Sequence, residues 1–204
     1  SKLDEACRSL KQIAKSGKKI LFVATKKQAK TIVAESAKSL NMPYITERWP
    51  GGLLTNFSTI RKSIKKMNSI DTMKEDGTFD TLSKREKLQI ERTREKLELN
   101  FGSIENMNRI PEAIFVVDIN KEHIAVAEAN KLGMRSYAMV DTNTNPKLVN
   151  FPIPANDDST KSISKIMQII SEAIAEGLSE RSKTIEEKAK IKQEKAKEIL
   201  NKDN

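Results

Sequence analysis

Four aspartates offer the most evident reactive chemistry in this chain. Asp118 and Asp141 each end a short apolar run, and Asp157-Asp158 follow a third. If those runs are parallel strands, the carboxylates gather beyond the carboxyl ends, where open α/β sheets bind ligands. Hard cations prefer carboxylate oxygens, so the set could hold Mg²⁺ for phosphoryl transfer. The same residues also read as turn chemistry, which is the simpler account. Asp141-Thr142-Asn143 and Asn145-Pro146 are turn formers, and Asp157 or Asp158 can cap a helix at Ser159 by accepting its free amides. A Mg-dependent phosphoryl-transfer enzyme built on Asp118 and Asp141 is therefore the alternative reading, with a receiver-like signalling domain behind it.

Other catalytic parts are sparse. The segment Thr25-Lys26-Lys27-Gln28 contains no glycine to let backbone amides wrap a nucleotide phosphate. His123 is the only histidine and falls at a helix start, where a solvent-facing role is expected. Cys7 is the only cysteine, which excludes an internal disulfide or a multi-cysteine zinc site and fits a reducing compartment. No cofactor and no catalytic residue is expected.

Cations are better organised. Lys26, Lys27 and Lys30 stand near the carboxyl end of the first strand, and Arg48 precedes the only tryptophan, Trp49. Arg61-Lys62 and Lys65-Lys66 repeat at helical spacings of three and four, with no acid between Asn56 and Asn68. Like charges so placed repel in an isolated helix, so the arrangement costs stability unless a polyanion lies nearby. These nine residues are the expected RNA-binding set, neutralising phosphates without reading sequence. Trp49 either stacks on a base or ribose or plugs the base of the neighbouring helical segment, and the sequence leaves the two open.

The elements that must position these groups follow from periodicity. Leu3, Ala6, Cys7, Leu10, Ile13 and Ala14 predict a helix over 1–16 that Gly17 ends. Ile20 to Ala24 predicts a strand covered on both faces, followed by a helix over 26–40 and a shorter strand within Pro43–Trp49. Pro50-Gly51-Gly52 breaks the chain, and Thr55 or Asn56 can cap the next helix. Phe57, Ile60, Ile64, Met67 and Asp71 then step by three and four, a seam answered after Asp76-Gly77 by Ile90, Leu97, Phe101 and Ile104, with a polar step at Thr93 or Arg94. That pattern predicts a projecting coiled-coil hairpin. Strands within 113–117, 137–140 and 149–153 alternate with helices over 122–132 and 159–178, giving a doubly wound parallel sheet. The expected organisation is an α/β domain over 1–56 and 105–178, an inserted helical hairpin over 57–104, and a charged tail over 179–204, either a solvated helix or disordered.

Charge distribution supports a polyanionic partner. The chain has 204 residues and a net charge of +9, and residues 1–70 hold 15 Lys and Arg against four acids. The remainder holds 22 against 24, so the whole excess lies in the first third. No apolar run approaches the roughly 18 residues of a membrane span, and Ser1 to Leu10 lacks the pattern of a signal peptide, so no membrane partner is expected.

The run Arg48-Trp49-Pro50-Gly51-Gly52-Leu53-Leu54-Thr55-Asn56 resembles a segment of the bacterial small-subunit ribosomal protein number two family. Further likeness lies in Lys19 to Lys26, in Pro111 to Asp118 with Glu122-His123 and Glu128-Ala129-Asn130, and in Asp141-Thr142-Asn143 with Ile153 to Asp158. The resemblance runs in order from about residue 1 to 178. It implies a flavodoxin-like sheet with an inserted coiled-coil hairpin, and a structural, non-enzymatic place in the small ribosomal subunit of a bacterial cytoplasm. It also implies binding to ribosomal RNA near the head–body junction, beside neighbouring small-subunit proteins, with help in docking ribosomal protein number one, which captures messenger RNA. The family ordinarily opens with an extended segment and a strand bearing Gly/His motifs. Here the chain opens in the following helix, so that strand region is expected to be missing and the strand count is left open. Ala24 stands where the family often has Gly.

Overall fold

A computed structural model describes residues 1–202, with side chains described to residue 191. In chain order the elements are α1 (Lys2–Lys15), β1 (Ile20–Val23), α2 (Lys30–Ser39), β2 (Tyr44–Ile45), α3 (Phe57–Glu75), α4 (Lys84–Phe101), β3 (Ala113–Val117), α5 (His123–Lys131), β4 (Arg135–Val140), β5 (Phe151–Pro154) and α6 (Thr160–Lys202). The five strands form one parallel sheet in the order β2-β1-β3-β4-β5. This is the flavodoxin-like doubly wound order, in which the chain reverses direction across the sheet between β1 and β3.

Both faces of the sheet are covered, which is why its strands read as unbroken apolar runs. Ile20, Phe22, Phe115, Val117, Tyr137 and Met139 point to the layer made by α1, α2 and α6. Leu21, Val23, Ile114, Val116, Ala138 and Val140 point to α5, the loop after β2 and the foot of α3. Helices α1 and α6 pack closely against each other. A Cβ added at Gly177 would lie 2.4 Å from the Lys11 carbonyl oxygen, so only glycine lets the two helices cross there. Lys11 then reaches Glu176 and Glu180 at 2.8 and 2.7 Å along the same contact.

Several boundaries differ from the sequence expectation for identifiable reasons. The second helix begins at Lys30 rather than 26, because residues 26–29 form a turn in which the amides of Ala29 and Lys30 both donate to the Lys26 carbonyl. The last helix is not capped by Asp157 or Asp158. Asn156 Oδ1 accepts from the amides of Asp158 and Ser159, freeing both aspartates for other work. The charged tail continues α6 as helix to Lys202, and residues 203–204 lie outside the described residues.

Between β2 and β3 the chain makes two antiparallel helices, α3 and α4. Ile60, Ile64, Met67 and Ile70 are buried along α3, whereas α4 buries no residue fully. The polar step expected in the seam is filled on both sides. Arg94 Nε and Nη2 donate to the two carboxylate oxygens of Asp71 at 2.9 and 3.4 Å, and Lys74 approaches Glu91 at 4.0 Å. Ser83 opens α4 with a capping box, its hydroxyl and the Glu86 carboxylate satisfying each other's backbone amides.

Candidate nucleic-acid interface

The loop between β2 and α3 is built around an anion that the chain supplies itself. Glu128 Oε1 accepts from Trp49 Nε1 at 3.1 Å and from the Gly52 amide at 2.7 Å. Its Oε2 accepts from the amides of Leu54 and Thr55 at 3.0 and 3.1 Å and from the Thr55 hydroxyl at 3.2 Å. Gly52 adopts φ +84°, a conformation that L side chains rarely take, and this turn points the Gly52, Leu54 and Thr55 N–H groups inward. The result is an amide nest of the kind that elsewhere holds phosphate, filled here by an internal carboxylate. Burial pushes the Glu128 carboxyl up, but the indole N–H and the three amides outweigh it and hold it below the usual carboxylate range.

A second buried group lies at the carboxyl edge of the sheet, between β1 and β3. Lys26 Nζ lies 3.2 Å from Asp118, 2.7 Å from Asp157 and 2.6 Å from Asp158. Asp157 is 1% exposed, and its Oδ2 finds no hydrogen-bond partner among the described residues. Burial and the neighbouring carboxylates of Asp118 and Asp158 push its carboxyl up despite Lys26. Burial works against the Lys26 ammonium too, but its three acidic partners outweigh that and hold it above the usual lysine value. Three acids share one cation, so the cation gains from all while each acid receives only a share. Asp118 closes β3 in a left-handed conformation at φ +70°, which aims its carboxylate back over the sheet edge. Asp141, Asp157 and Asp158 each bring a carboxylate oxygen within 4.8 Å of the others, a set that could attend a hard cation beside Lys26.

The structure sorts the nine expected RNA-binding residues. Lys27, Arg48, Lys62, Lys65 and Lys66 are exposed, and among the described residues none is in an ion pair. Lys30 is half-buried and reaches Glu47 at 3.0 Å, tying the start of α2 to the segment that carries Arg48. Three residues turn inward instead. Lys26 is committed to the acidic cluster. Trp49 is 7% exposed with its indole on Glu128, which favours the packing alternative over stacking on RNA. Arg61 lies along the chain, its Nη1 3.5 and 3.4 Å from the carbonyls of Glu105 and Met107, so it straps α3 to the segment that leaves α4. His123 is exposed, with Nδ1 3.0 Å from the Asn120 carbonyl. Sequence reasoning gave Glu122 and Glu128 no role. The available signal was a lone acid at Glu128 inside the small apolar run Ala125-Val126-Ala127-Glu128-Ala129, which helical spacing turns toward the sheet.

Residues 1–177 match the model of the family described as Ribosomal protein S2. The chain belongs to that family. It is 64% identical over 181 residues to small ribosomal subunit protein uS2 of Flavobacterium johnsoniae, an alignment covering 89% of this chain and 71% of the relative. The uS2 protein of Flavobacterium psychrophilum is 64% identical over 182 residues, covering 89% of this chain and 68% of the relative. That of Christiangramia forsetii is 62% identical over 181 residues, covering 89% and 60%. Ribosomal protein S2 membership carries a structural role in the small ribosomal subunit of bacteria rather than an enzymatic one. It also decides against the phosphoryl-transfer alternative, whose crevice already contains the Lys26 ammonium.

Proposed function

We propose that this chain binds ribosomal RNA in the small ribosomal subunit through Lys27, Lys30, Arg48, Lys62, Lys65 and Lys66. The observation that carries the reading is the outward turn of Lys27, Arg48, Lys62, Lys65 and Lys66 without an ion-pair partner among the described residues. Lys11, Lys26 and Arg94, by contrast, are neutralised by carboxylates of this chain. Cations placed at (i, i+3) and (i, i+4) on α3 repel one another in water, and a phosphate backbone relieves that repulsion by releasing its own counterions. In this reading α3 and α4 form an inserted arm on the α/β domain, the protein works on cytoplasmic ribosomes, and its neighbours are other small-subunit proteins. A role in docking ribosomal protein number one rests on the family resemblance.

The test is charge reversal of Lys62, Lys65 and Lys66 to Glu in the full chain. The variant should keep a cooperative unfolding transition and lose incorporation into small subunits on sucrose gradients. Wild-type affinity for small-subunit RNA should fall steeply with salt. Normal incorporation of the reversed variant, or a wild-type affinity indifferent to salt, would sink the proposal.

A further inference from the structure

Helix α5 carries two buried acids that grip two different loops. Glu122, 2% exposed at the start of the helix, accepts from the Thr25 amide at 2.8 Å and also from the Thr25 hydroxyl. Glu128, 9% exposed, takes the five donors of the loop after β2. Six residues separate the two acids, about 9 Å along a helix axis. Thr25 lies two residues before Lys27 at the exit of β1. Thr55 lies at the entry to α3, whose first turns carry Lys62, Lys65 and Lys66. Four of the seven donors in the two grips are backbone N–H groups, so both acids hold the main chain of their loops directly. The Lys30–Glu47 pair ties the start of α2 to the segment before residues 49–55, and the bonds from Arg61 to the Glu105 and Met107 carbonyls hold the foot of α3 to the segment leaving α4.

We propose that Glu122 and Glu128 are positioning residues for the RNA-binding surface, acting as a two-point clamp that holds the β1 exit and the foot of α3 at a fixed separation. The inference rests on the reading of those loops as RNA-facing and says how that surface is assembled. Phosphates along a nucleic-acid backbone are regularly spaced, so two cationic clusters engage together only if their separation is set before binding. A loosened clamp leaves every cation present but lets one cluster bind at the expense of the other. The number of phosphates neutralised at once therefore falls, and with it the salt dependence of binding.

The experiment uses the full chain with Glu128→Gln, Glu122→Gln and the double variant, none of which removes a cation. Affinity for a small-subunit RNA fragment is measured across a salt series, with only the folded fraction counted from circular dichroism. Glu128→Gln sets an amide N–H against the donors on one of the two oxygens, and should weaken binding at least ~10-fold and flatten the plot of log affinity against log salt. Spin labels at Gln28 and Asn68, with Cys7→Ser, should give a narrow distance distribution in the parent and a broader one in the Gln variants. Variants that are merely less stable, with parental slope and distance width, would overturn the clamp. A parent protein that shows no salt-dependent affinity would overturn the RNA-binding reading instead, and the distance measurement would still decide on the clamp.

Discussion

Glu128 and Asp157 are both taken out of water, and the protein neutralises them by opposite means. Among the described residues Glu128 has no ion-pair partner. Five neutral N–H and O–H donors converge on it, and its carboxyl is held low. Asp157 has the Lys26 ammonium at 2.7 Å, yet one oxygen has no partner among the described residues and its carboxyl is pushed up. The contrast shows that preorganised dipoles can serve a buried anion better than a shared counter-charge. Each dipole in the loop of residues 49–55 is fixed by the backbone and points at one acceptor, whereas a single ammonium divided among Asp118, Asp157 and Asp158 satisfies none of them fully. The dipolar site stiffens a loop. The ionic site plugs a crevice.

The largest expected effect comes from destroying the dipolar site. Glu128→Ala leaves the amides of Gly52, Leu54 and Thr55 and the Trp49 indole without their acceptor, costing about 3 kcal/mol of stability. Urea denaturation would measure it, and a loss below about 1 kcal/mol would mean that water replaces the carboxylate freely. Lys26→Met attacks the ionic site and should cost about 2 kcal/mol at neutral pH, because a buried acid is left without its cation. That loss should shrink on acidification, since Asp157 with its raised carboxyl takes up a proton readily and then needs no partner. A deficit that stayed constant between neutral and mildly acidic pH would remove Asp157 from the account.

The two sites also have opposite pH signatures. Glu128 sits below its ordinary value of 4.5, so its contribution is present above that pH and is lost as the pH falls through the depressed folded value. Asp157 sits above its ordinary value of 3.8, so the native state holds the proton more tightly than the unfolded chain. Its contribution is therefore greatest below that value and is lost as the pH rises through the folded one. Stability curves of Glu128→Gln and Asp157→Asn should differ from the parent with slopes of opposite sign in the acidic range. Slopes of the same sign would break the comparison.

The smallest effect is expected at a third ionic contact, the bridge in the helical pair. Asp71 and Arg94 are 40% and 32% exposed in their side chains, so solvent screens them. Asp71→Asn should lower stability by about 0.5 kcal/mol or less. Its value would be sharpest as a control, showing that a charge pair matters here only where water is excluded.

Much of this was legible before any coordinates. The unbroken runs Ile20–Ala24 and Ala113–Val117 read as strands covered on both faces, and the steps of three and four from Phe57 to Met67 marked a helix with one apolar stripe. The polar step at Asp71, answered at Thr93 or Arg94, was visible as an interruption, though not as the Asp71–Arg94 bond. The cationic set was legible as residue types but not as orientations. Lys26 and Lys27 are neighbours in sequence, and one is spent inside the protein while the other faces solvent. Glu128 escaped because its partners lie 73 to 79 positions away, beyond the reach of any local pattern.

Local rules therefore decided which segments fold as strands and helices, where glycine must turn the chain, and that the first third carries the positive charge. Those properties depend on spacing and side-chain type, which a linear sequence contains in full. Which cations are free and which buried acids are satisfied was decided by the tertiary structure, because both depend on what the parallel sheet brings together from distant positions. A lysine becomes a structural counter-ion or a solvent-facing cation according to whether a carboxylate from another loop arrives within about 3 Å.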